Sequence, residues 1–175
     1  MKKETLNLKR VFSDGPLMVY GSGALIAGVE ARQTKVIPDE RGRLGEIFRA
    51  DDPWFEKFGQ SYFTTTYPGV VKAWHYHKIQ TDHFYVIKGV IKVGLYDGRE
   101  GSETYGVVNQ VYLSEHCPGI LRIPPGIYHG WMCVGNEEAY IINITSEVYN
   151  YAEPDEFRKD PHDNDIPYDW TRKDG

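Results

Sequence analysis

Three histidines and one aspartate lie within nine residues near the middle of the chain. The segment KAWHYHKIQTDHFYVIKG contains His75, His77, Asp82 and His83 and then continues into an apolar run. Two imidazoles and a carboxylate suit a transition-metal site, in which neutral nitrogens and an acidic oxygen act as ligands. They also suit acid and base chemistry, because histidine has a reference pKa of about 6.5, close to neutral pH. A histidine that only forms a structural hydrogen bond is a third interpretation, and the residue types alone do not choose among the three.

Short β-strands are predicted to position these side chains. On a strand, His75 and His77 would share one face, and Trp74 and Tyr76 would share the other. From residue 60 onward, eight segments alternate apolar and polar residues between Gly, Pro or Asp: QSYFTTTYPG, VVKAWHYH, HFYVIKG, VIKVGLYDG, TYGVVNQVYLS, GILRIPPG, HGWMCVGN and EEAYIINIT. Such a pattern is typical of an antiparallel β-sandwich or barrel.

The flanking segments are expected to complete a single domain over residues 1–175. Residues 1–33 are predicted to form an N-terminal arm with one or two strands, in GPLMVY and ALIAGV. The barrel is expected over residues 34–149, beginning with a hairpin in TKVIPDERGRLGEIFRA, where Gly42 can take the positive φ angle of the turn. Residues 150–175 are predicted to be ordered coil with a short helix at PDEF, docked through Ile166, Tyr168 and Trp170.

Composition limits the classes of partner. The 20 basic and 25 acidic residues give a net charge of -5, which argues against nucleic acid as a partner. No apolar run approaches the roughly 20 residues of a membrane-spanning helix, and no export signal is recognised, so no membrane partner is expected. The two cysteines form no CxxC pair, which favours a reducing compartment and a cytoplasmic protein.

A first resemblance depends on the spacing of the histidines. The pattern from Gly69 through His75, His77 and Asp82 to Gly89, followed by GILRIPPGIYHGWMC with His129, resembles the two cupin motifs. The resemblance implies an all-β, double-stranded β-helix, or jelly-roll barrel. It implies that one divalent transition metal could be held by four residues brought to one interior point: His75, His77, Asp82 and His129.

A second resemblance covers roughly residues 34–170. DERGRLGEIF resembles the D-x-R-G-x-F-x-E signature of the dTDP-4-dehydrorhamnose 3,5-epimerase family, with Leu44 in place of the aromatic residue. KAWHYH, LYDGREGSETYG and IPPGIYHGW match three further family segments in order, and NITSEVYNYAEPDE with IPYDW matches the closing elements. This resemblance implies a cupin-type jelly roll, a dimer, a nucleotide-sugar substrate and no metal cofactor.

The second resemblance also implies roles for residues. It places His75 as the catalytic base and Tyr149 as an active-site tyrosine. The substrate-binding positions are Arg41, Glu46, Lys72, His77, His129 and Asn143. Asp82 stands where the family has a lysine beside the developing enolate, and Asn143 aligns with the family's acid tyrosine.

Substitutes for the altered groups are therefore expected in this chain. The family's partner aspartate for the base lies beyond the I-x-W element, and the sequence has five residues after Trp170. We expect His77, Asp82 or His83 to serve as the partner of His75, with Asp82 counted among the catalytic residues. Tyr149 or Tyr128 is expected to supply the proton.

Three functions follow, from different classes. The first is an isomerase that epimerises a nucleotide-activated 4-keto-6-deoxy sugar at C3, C5 or both. The second is a metal-dependent cupin enzyme, and the third is a non-catalytic sugar-nucleotide-binding module. A homodimer is expected, in which the N-terminal arm pairs with a neighbour's sheet edge.

Overall fold

Antiparallel β-strands make up the regular structure of the chain. The computed structural model describes residues 6–173. Fourteen strands occur there: β1 (Lys9–Asp14), β2 (Leu17–Gly21), β3 (Glu30–Gln33), β4 (Val36–Asp39), β5 (Gly42–Gly45), β6 (Gln60–Thr66), β7 (Val71–Tyr76), β8 (Asp82–Lys88), β9 (Val90–Asp97), β10 (Val108–Ser114), β11 (Gly119–Ile123), β12 (Ile127–Cys133), β13 (Ala139–Thr145) and β14 (Phe157–Arg158). Between residues 6 and 173 there is no helix that is long and apolar enough to cross a membrane.

Two main sheets and one hairpin are formed by these strands. The larger sheet has seven strands in the order β1-β2-β10-β9-β12-β7-β14, and the smaller has five in the order β3-β11-β8-β13-β6. The separate hairpin pairs β4 with β5, with Asp39 opposite Gly42. The predicted all-β jelly roll is confirmed, and the eight segments predicted as strands correspond to β6 through β13.

Apolar side chains from both main sheets form the principal core. Val93 and Leu95 on β9 and Phe84 and Val86 on β8 belong to one buried cluster. Strand alternation explains this, because every second residue of each strand points between the sheets. Polar side chains from the same two sheets line the cavity described below.

A second core lies on the other face of the seven-stranded sheet. Trp74 is fully buried there against Ile166, Tyr168 and Trp170. The ring centroids of Trp74 and Trp170 are 4.9 Å apart. The predicted docking of the C-terminal segment is confirmed, as is the placement of Trp74 opposite His75 on β7.

The N-terminal arm differs from its prediction. Three strands, not one or two, occur before residue 34, and β2 pairs with β10 of the same chain. The predicted strand at ALIAGV is wrong, because the backbone there is held by side chains instead of a neighbouring strand. The N–H of Ile26 donates to Asn109 Oδ1 at 2.9 Å, and the N–H of Ala27 donates to Thr104 Oγ1 at 3.0 Å.

The predicted short helix at PDEF is also wrong. Phe157 and Arg158 form β14 at the edge of the seven-stranded sheet and pair with Tyr76 and His75 of β7. The Asp155 carboxylate accepts hydrogen bonds from the backbone N–H groups of residues 78, 79 and 80, at 2.8, 2.9 and 3.1 Å. These long-range bonds hold the segment extended, which a local propensity for helix does not anticipate.

One buried carboxylate organises the loop after β9. Asp97 is fully buried and accepts hydrogen bonds from Arg99 Nε at 2.9 Å, Ser102 Oγ at 2.7 Å and Thr104 Oγ1 at 2.6 Å. Burial disfavours the charged carboxylate, but these hydrogen bonds outweigh burial and hold the pKa of Asp97 well below its usual range. The segment DGREGSETYG is thereby explained as a loop folded around its own aspartate.

Candidate active site

A cavity of about 940 Å³ opens between the two main sheets. Strands of both sheets and the coil after β13 contribute side chains to it. Seven of the predicted site residues line it: Lys72, His75, His77, Asp82, His129, Asn143 and Tyr149. Arg41 and Glu46 do not reach the cavity of their own chain; they pair at the surface with Asp39 and Arg49.

Asp82 is the polar centre of the cavity wall. Its side chain is 1% exposed, and Oδ2 lies 3.3 Å from His77 Nε2 and 3.2 Å from His129 Nε2. Oδ1 accepts hydrogen bonds from Gln80 Nε2 at 2.8 Å and from Asn143 Nδ2 at 2.9 Å. Burying a charged carboxylate is strongly unfavourable unless hydrogen bonds replace its contacts with water, and these four contacts do so.

The two histidines that contact Asp82 have oxygen acceptors on both sides of their rings. His77 Nδ1 is hydrogen-bonded to the carbonyl of Asp155, and His129 Nδ1 lies 3.0 Å from the carbonyl of Ile127. In each ring Nδ1–H therefore donates to a carbonyl while Nε2 faces the Asp82 carboxylate. A proton on Nε2 or a metal cation between Nε2 and Oδ2 would make either contact attractive, and at His77 the amide nitrogen of Gln80 also lies 3.3 Å from Nε2.

His77 is held in its charged form by this arrangement. Burial alone would lower its pKa, but the hydrogen bond and negative charge of Asp82 outweigh burial and raise the pKa to about 9. For Asp82, burial opposes ionisation, and the hydrogen bonds from His129 and His77 hold its pKa far below the usual range. Asp82 therefore orients and charges its histidine neighbour.

His75 has a different environment in the same cavity. It pairs with His129 across β7 and β12, with ring centroids 6.0 Å apart, and packs 6.0 Å from the Trp131 ring. Within residues 6–173 no hydrogen bond to the His75 ring is found. Burial, followed by the charge at His129 and at Arg158, lowers the pKa of His75 to about 3. His75 is therefore a neutral imidazole, with a lone pair available in the cavity.

Three residues of the Asp82 cluster are close enough together to hold a metal ion. Ligand atoms of His77, Asp82 and His129 lie within 4.8 Å of one another. Ligand atoms about 2.0–2.2 Å from one ion are about 2.8–3.6 Å apart in octahedral and tetrahedral sites, a range that includes the two contacts to Asp82. Nδ1–H donation to backbone carbonyls is the usual support for a histidine ligand. Of the four residues predicted as ligands, His75 is not part of this group.

Asn143 links Asp82 to a tyrosine on the neighbouring strand. Asn143 of β13 pairs with Tyr62 of β6, and its Nδ2 donates to the Tyr62 hydroxyl at 2.9 Å. Burial, followed by the negative charge of Asp82, raises the pKa of Tyr62 to about 12. Tyr62 was not anticipated from the sequence, although alternation along QSYFTTT places it and Thr64 on one face.

Positively charged side chains lie at the same cavity. Lys72 Nζ is anchored to Thr64 Oγ1 at 3.0 Å and to the carbonyl of Thr65 at 2.7 Å. Arg158 of β14 and Lys159 also line the cavity, and the sequence pattern gave no indication of either. A group with two negative charges that entered here would meet Lys72, and also Arg158 and Lys159, which are paired with Glu156 and with Asp165.

Two of the predicted helpers lie elsewhere. His83 points to the opposite face of β8 from Asp82, where its Nδ1 bonds the carbonyl of Ile144 and its ring packs 4.4 Å from Phe48. Tyr128 points away from the cavity, with its ring 4.6 Å from Tyr76. The predictions that His83 partners His75 and that Tyr128 donates the proton are therefore wrong, because strand alternation directs both side chains away from the cavity.

Comparisons with known proteins agree on one family. The family profile described as dTDP-4-dehydrorhamnose 3,5-epimerase matches residues 24–175. A probable low-salt glycan biosynthesis epimerase of Haloferax volcanii is 44% identical over 146 residues, covering 82% of this chain and 89% of that protein. A spore coat polysaccharide biosynthesis protein of Bacillus subtilis is 38% identical over 147 residues, covering 84% of this chain and 97% of that protein.

A solved structure supports the same relationship. The crystal structure of a dTDP sugar isomerase from Desulfovibrio desulfuricans superposes with a TM-score of 0.80 at 35% identity, covering 85% of this chain and 94% of that one.

Proposed function

Because the chain belongs to the dTDP-4-dehydrorhamnose 3,5-epimerase family, we propose that it epimerises a nucleotide-activated 4-keto-6-deoxy sugar at C3, C5 or both. The chain is an isomerase of sugar nucleotides, as its family and relatives are. The proposed reaction begins with removal of a proton from a carbon next to the ketone.

The state of His75 is the observation that carries the proposal. A base must offer a free lone pair within reach of the substrate, and His75 lines the cavity with no hydrogen bond to its ring among the described residues. The Nε2 atoms of His77 and His129 both contact Asp82 Oδ2. His75 is therefore the histidine of the cavity that is free to accept a proton.

The Asp82 cluster supports the second requirement of the reaction. Removing the proton leaves an enolate, and a fixed positive charge or N–H donor stabilises its oxygen. Asp82 cannot do this itself, but it keeps His77 protonated at the cavity wall. We propose that His77 takes over the electrostatic role that the family assigns to a lysine at the position of Asp82.

Lys72, Arg158 and Lys159 support binding of the nucleotide diphosphate. Lysine and arginine pair with phosphate oxygens by charge-assisted hydrogen bonds. Tyr149 and Tyr151 line the same cavity and offer ring faces for the base or sugar. The roles predicted for Arg41 and Glu46 in substrate binding remain predictions, since neither reaches this cavity.

Proton exchange is the direct test of this function. The chain is incubated with dTDP-4-keto-6-deoxyglucose in D2O, and proton NMR follows the C3 and C5 signals and the appearance of inverted product. We expect loss of at least one of these signals together with inversion. Silence with this sugar and with a panel of other nucleotide-activated keto sugars would contradict the proposal and favour a non-catalytic binding module.

A metal-dependent cupin enzyme is the second candidate. The observation that favours it is the convergence of His77, Asp82 and His129, with both Nδ1 atoms turned to backbone carbonyls. These three residues would hold the ion, and a divalent metal would supply Lewis-acid polarisation of a substrate oxygen. The first candidate uses no cofactor, so the two differ in metal content.

Assembly and location complete the proposal. We propose a homodimer because β6 is an open sheet edge and carries Phe63, which is 71% exposed. The arm strands β1 and β2 pair within their own chain, but β1 is also a sheet edge, so the predicted contact of the arm with a neighbour remains a prediction. Light scattering should give twice the chain mass of 20.1 kDa, and a 20.1 kDa particle would contradict the dimer. The free thiols of Cys117 and Cys133 support a cytoplasmic location.

A further inference from the structure

The orientation of one buried amide controls the hydroxyl of Tyr62. Asn143 is 2% exposed, and its Oδ1 accepts the backbone N–H of His83 at 3.1 Å. Oδ1 can be told from Nδ2 by this bond, because a backbone N–H can only donate. Nδ2 is thereby directed at two acceptors, Asp82 Oδ1 and the Tyr62 hydroxyl oxygen, each at 2.9 Å.

The Tyr62 hydroxyl is consequently an acceptor toward Asn143 and a donor toward the cavity. Both hydrogens of the Asn143 amide are used, one on Asp82 and one on Tyr62. The O–H proton of Tyr62 is not needed for that bond, and Tyr62 lines the cavity that contains His75. Desolvation in the cavity wall, followed by the charge of Asp82, disfavours the tyrosinate, so the hydroxyl keeps its proton at neutral pH.

Tyr62 and His75 stand on opposite walls. His75 belongs to β7 of the seven-stranded sheet, and Tyr62 belongs to β6 of the five-stranded sheet. Inversion of a carbon requires that the proton leaves from one face and returns to the other. We propose that Tyr62 is the catalytic acid that returns this proton, an assignment that rests on the proposed epimerase function.

The step balances with these two residues. The His75 lone pair takes the proton, the C–H electron pair becomes the C=C bond, and the carbonyl π pair moves to oxygen to give the enolate. The C=C pair then takes the O–H proton of Tyr62 on the other face, and the C=O bond re-forms. The tyrosinate regains a proton from water, and the imidazolium of His75 loses one to water.

Tyr149 is the competing tyrosine of the cavity. It lies in the coil after β13, where its backbone N–H donates to Gln60 Oε1 at 3.3 Å and its ring packs against Tyr151. Among the described residues, no hydrogen bond orients its hydroxyl. Tyr62 differs because its strand is paired and its oxygen is fixed by a buried amide.

The test separates proton removal from proton return. Tyr62→Phe is incubated with dTDP-4-keto-6-deoxyglucose in D2O, and the rates of C–H exchange and of inversion are measured separately. Inversion should fall by about 10²- to 10⁴-fold, the usual contribution of a general acid, while exchange with retention persists through His75. Tyr140→Phe is the matched control, because Tyr140 points outward from β13 and contacts Glu138.

Each outcome decides one of the two claims. Wild-type protein that neither exchanges nor inverts would overturn the epimerase function itself. Normal wild-type activity with unchanged inversion in Tyr62→Phe would overturn only the role of Tyr62. Equal losses of exchange and inversion would also overturn it, because a structural defect affects both. Separation of the two rates by Tyr149→Phe instead would assign the acid to Tyr149.

Discussion

Asp82 and His77 form a buried ion pair in which Oδ2 of the carboxylate lies 3.3 Å from Nε2 of the imidazole. The resemblance places Asp82 where the family has a lysine, so the pair bears on the predicted change at this position. An aspartate in place of a lysine would reverse the charge of the side chain, and the proposed role of His77 returns a positive charge to the cavity, because Asp82 raises the pKa of His77. The sequence left open whether Asp82 binds a metal or orients a base. The answer depends on whether a proton or a metal ion lies between Asp82 Oδ2 and the Nε2 atoms of His77 and His129.

Asp82→Asn tests this relationship. The amide keeps the shape but loses the charge, so the pKa of His77 should fall from about 9 toward or below its ordinary value. Removing one partner of a buried pair should lower the free energy of unfolding by about 3–5 kcal/mol. Proton exchange in D2O should slow by about 10²-fold if the charged His77 stabilises the enolate.

NMR titration of the His77 ring and denaturant unfolding provide the two readouts. Asp51→Asn is the control, because its ion pair with Arg49 is exposed and should leave unfolding almost unchanged. An unchanged His77 pKa in Asp82→Asn would show that Asp82 does not charge this histidine.

His75→Asn should abolish the exchange of substrate protons. The asparagine side chain fits the space between His129 and Trp131 but has no basic lone pair, so the C–H bond adjacent to the ketone remains intact. NMR in D2O measures the exchange, and binding of dTDP to both proteins shows that the cavity persists. His116→Asn, at an exposed turn, is the control. Exchange at the wild-type rate in His75→Asn would remove His75 as the base.

The pH profile of kcat/KM should be broad. His75 is active when neutral, and its pKa of about 3 means that the acid limb should begin below about pH 4 instead of near 6.5. His77 acts when protonated, and its pKa of about 9 means that the alkaline limb should begin above about pH 8 and be centred near pH 9. His77→Gln should lose the alkaline limb. An acid limb centred near pH 6.5 would mean that His75 is charged more easily than its surroundings indicate.

The sequence predicted the strands and the position of the main histidines because both depend on local patterns. Alternation on VVKAWHYH places His75 in the cavity and Trp74 in the second core, as the structure has them. Tyr62 and Asp155 escaped prediction because their roles arise from long-range pairing: Tyr62 meets Asn143 across β6 and β13, and Asp155 binds backbone N–H groups some 75 residues away. Arg158 likewise reaches the cavity only because β14 pairs with β7.

Asp97→Asn should destabilise the chain in a pH-dependent way. The folded pKa of Asp97 is held below its unfolded value, so its contribution to stability is complete above about pH 4 and is lost as the pH falls toward the folded pKa. At pH 7 the substitution should cost about 2–4 kcal/mol, since donors on Arg99, Ser102 and Thr104 lose a charged acceptor. The gap between wild type and variant should close as the pH falls below about 4.

Asp39→Asn is the matched control for Asp97→Asn. Asp39 also pairs with an arginine two residues later, but both side chains are exposed, at 47% and 84%. It should show little loss at any pH. A gap for Asp97→Asn that stays constant between pH 7 and pH 3 would show that the loss comes from packing and not from the charge.

Metal content separates the two candidate functions. If protons occupy the space between Asp82 and its two histidines, untagged protein purified without chelator should contain far less than one transition metal per chain, and EDTA should leave proton exchange unchanged. If a metal occupies it, mass spectrometry should find close to one ion per chain.

Added Zn²⁺ or Ni²⁺ should then raise the thermal midpoint, because a ligand that binds only the native state stabilises it. His129→Asn should abolish that rise, since it removes one of three converging ligand atoms, whereas His162→Asn at the surface should preserve it. One ion per chain together with loss of exchange on chelation would contradict the cofactor-independent epimerase, because the same reaction would then depend on the metal.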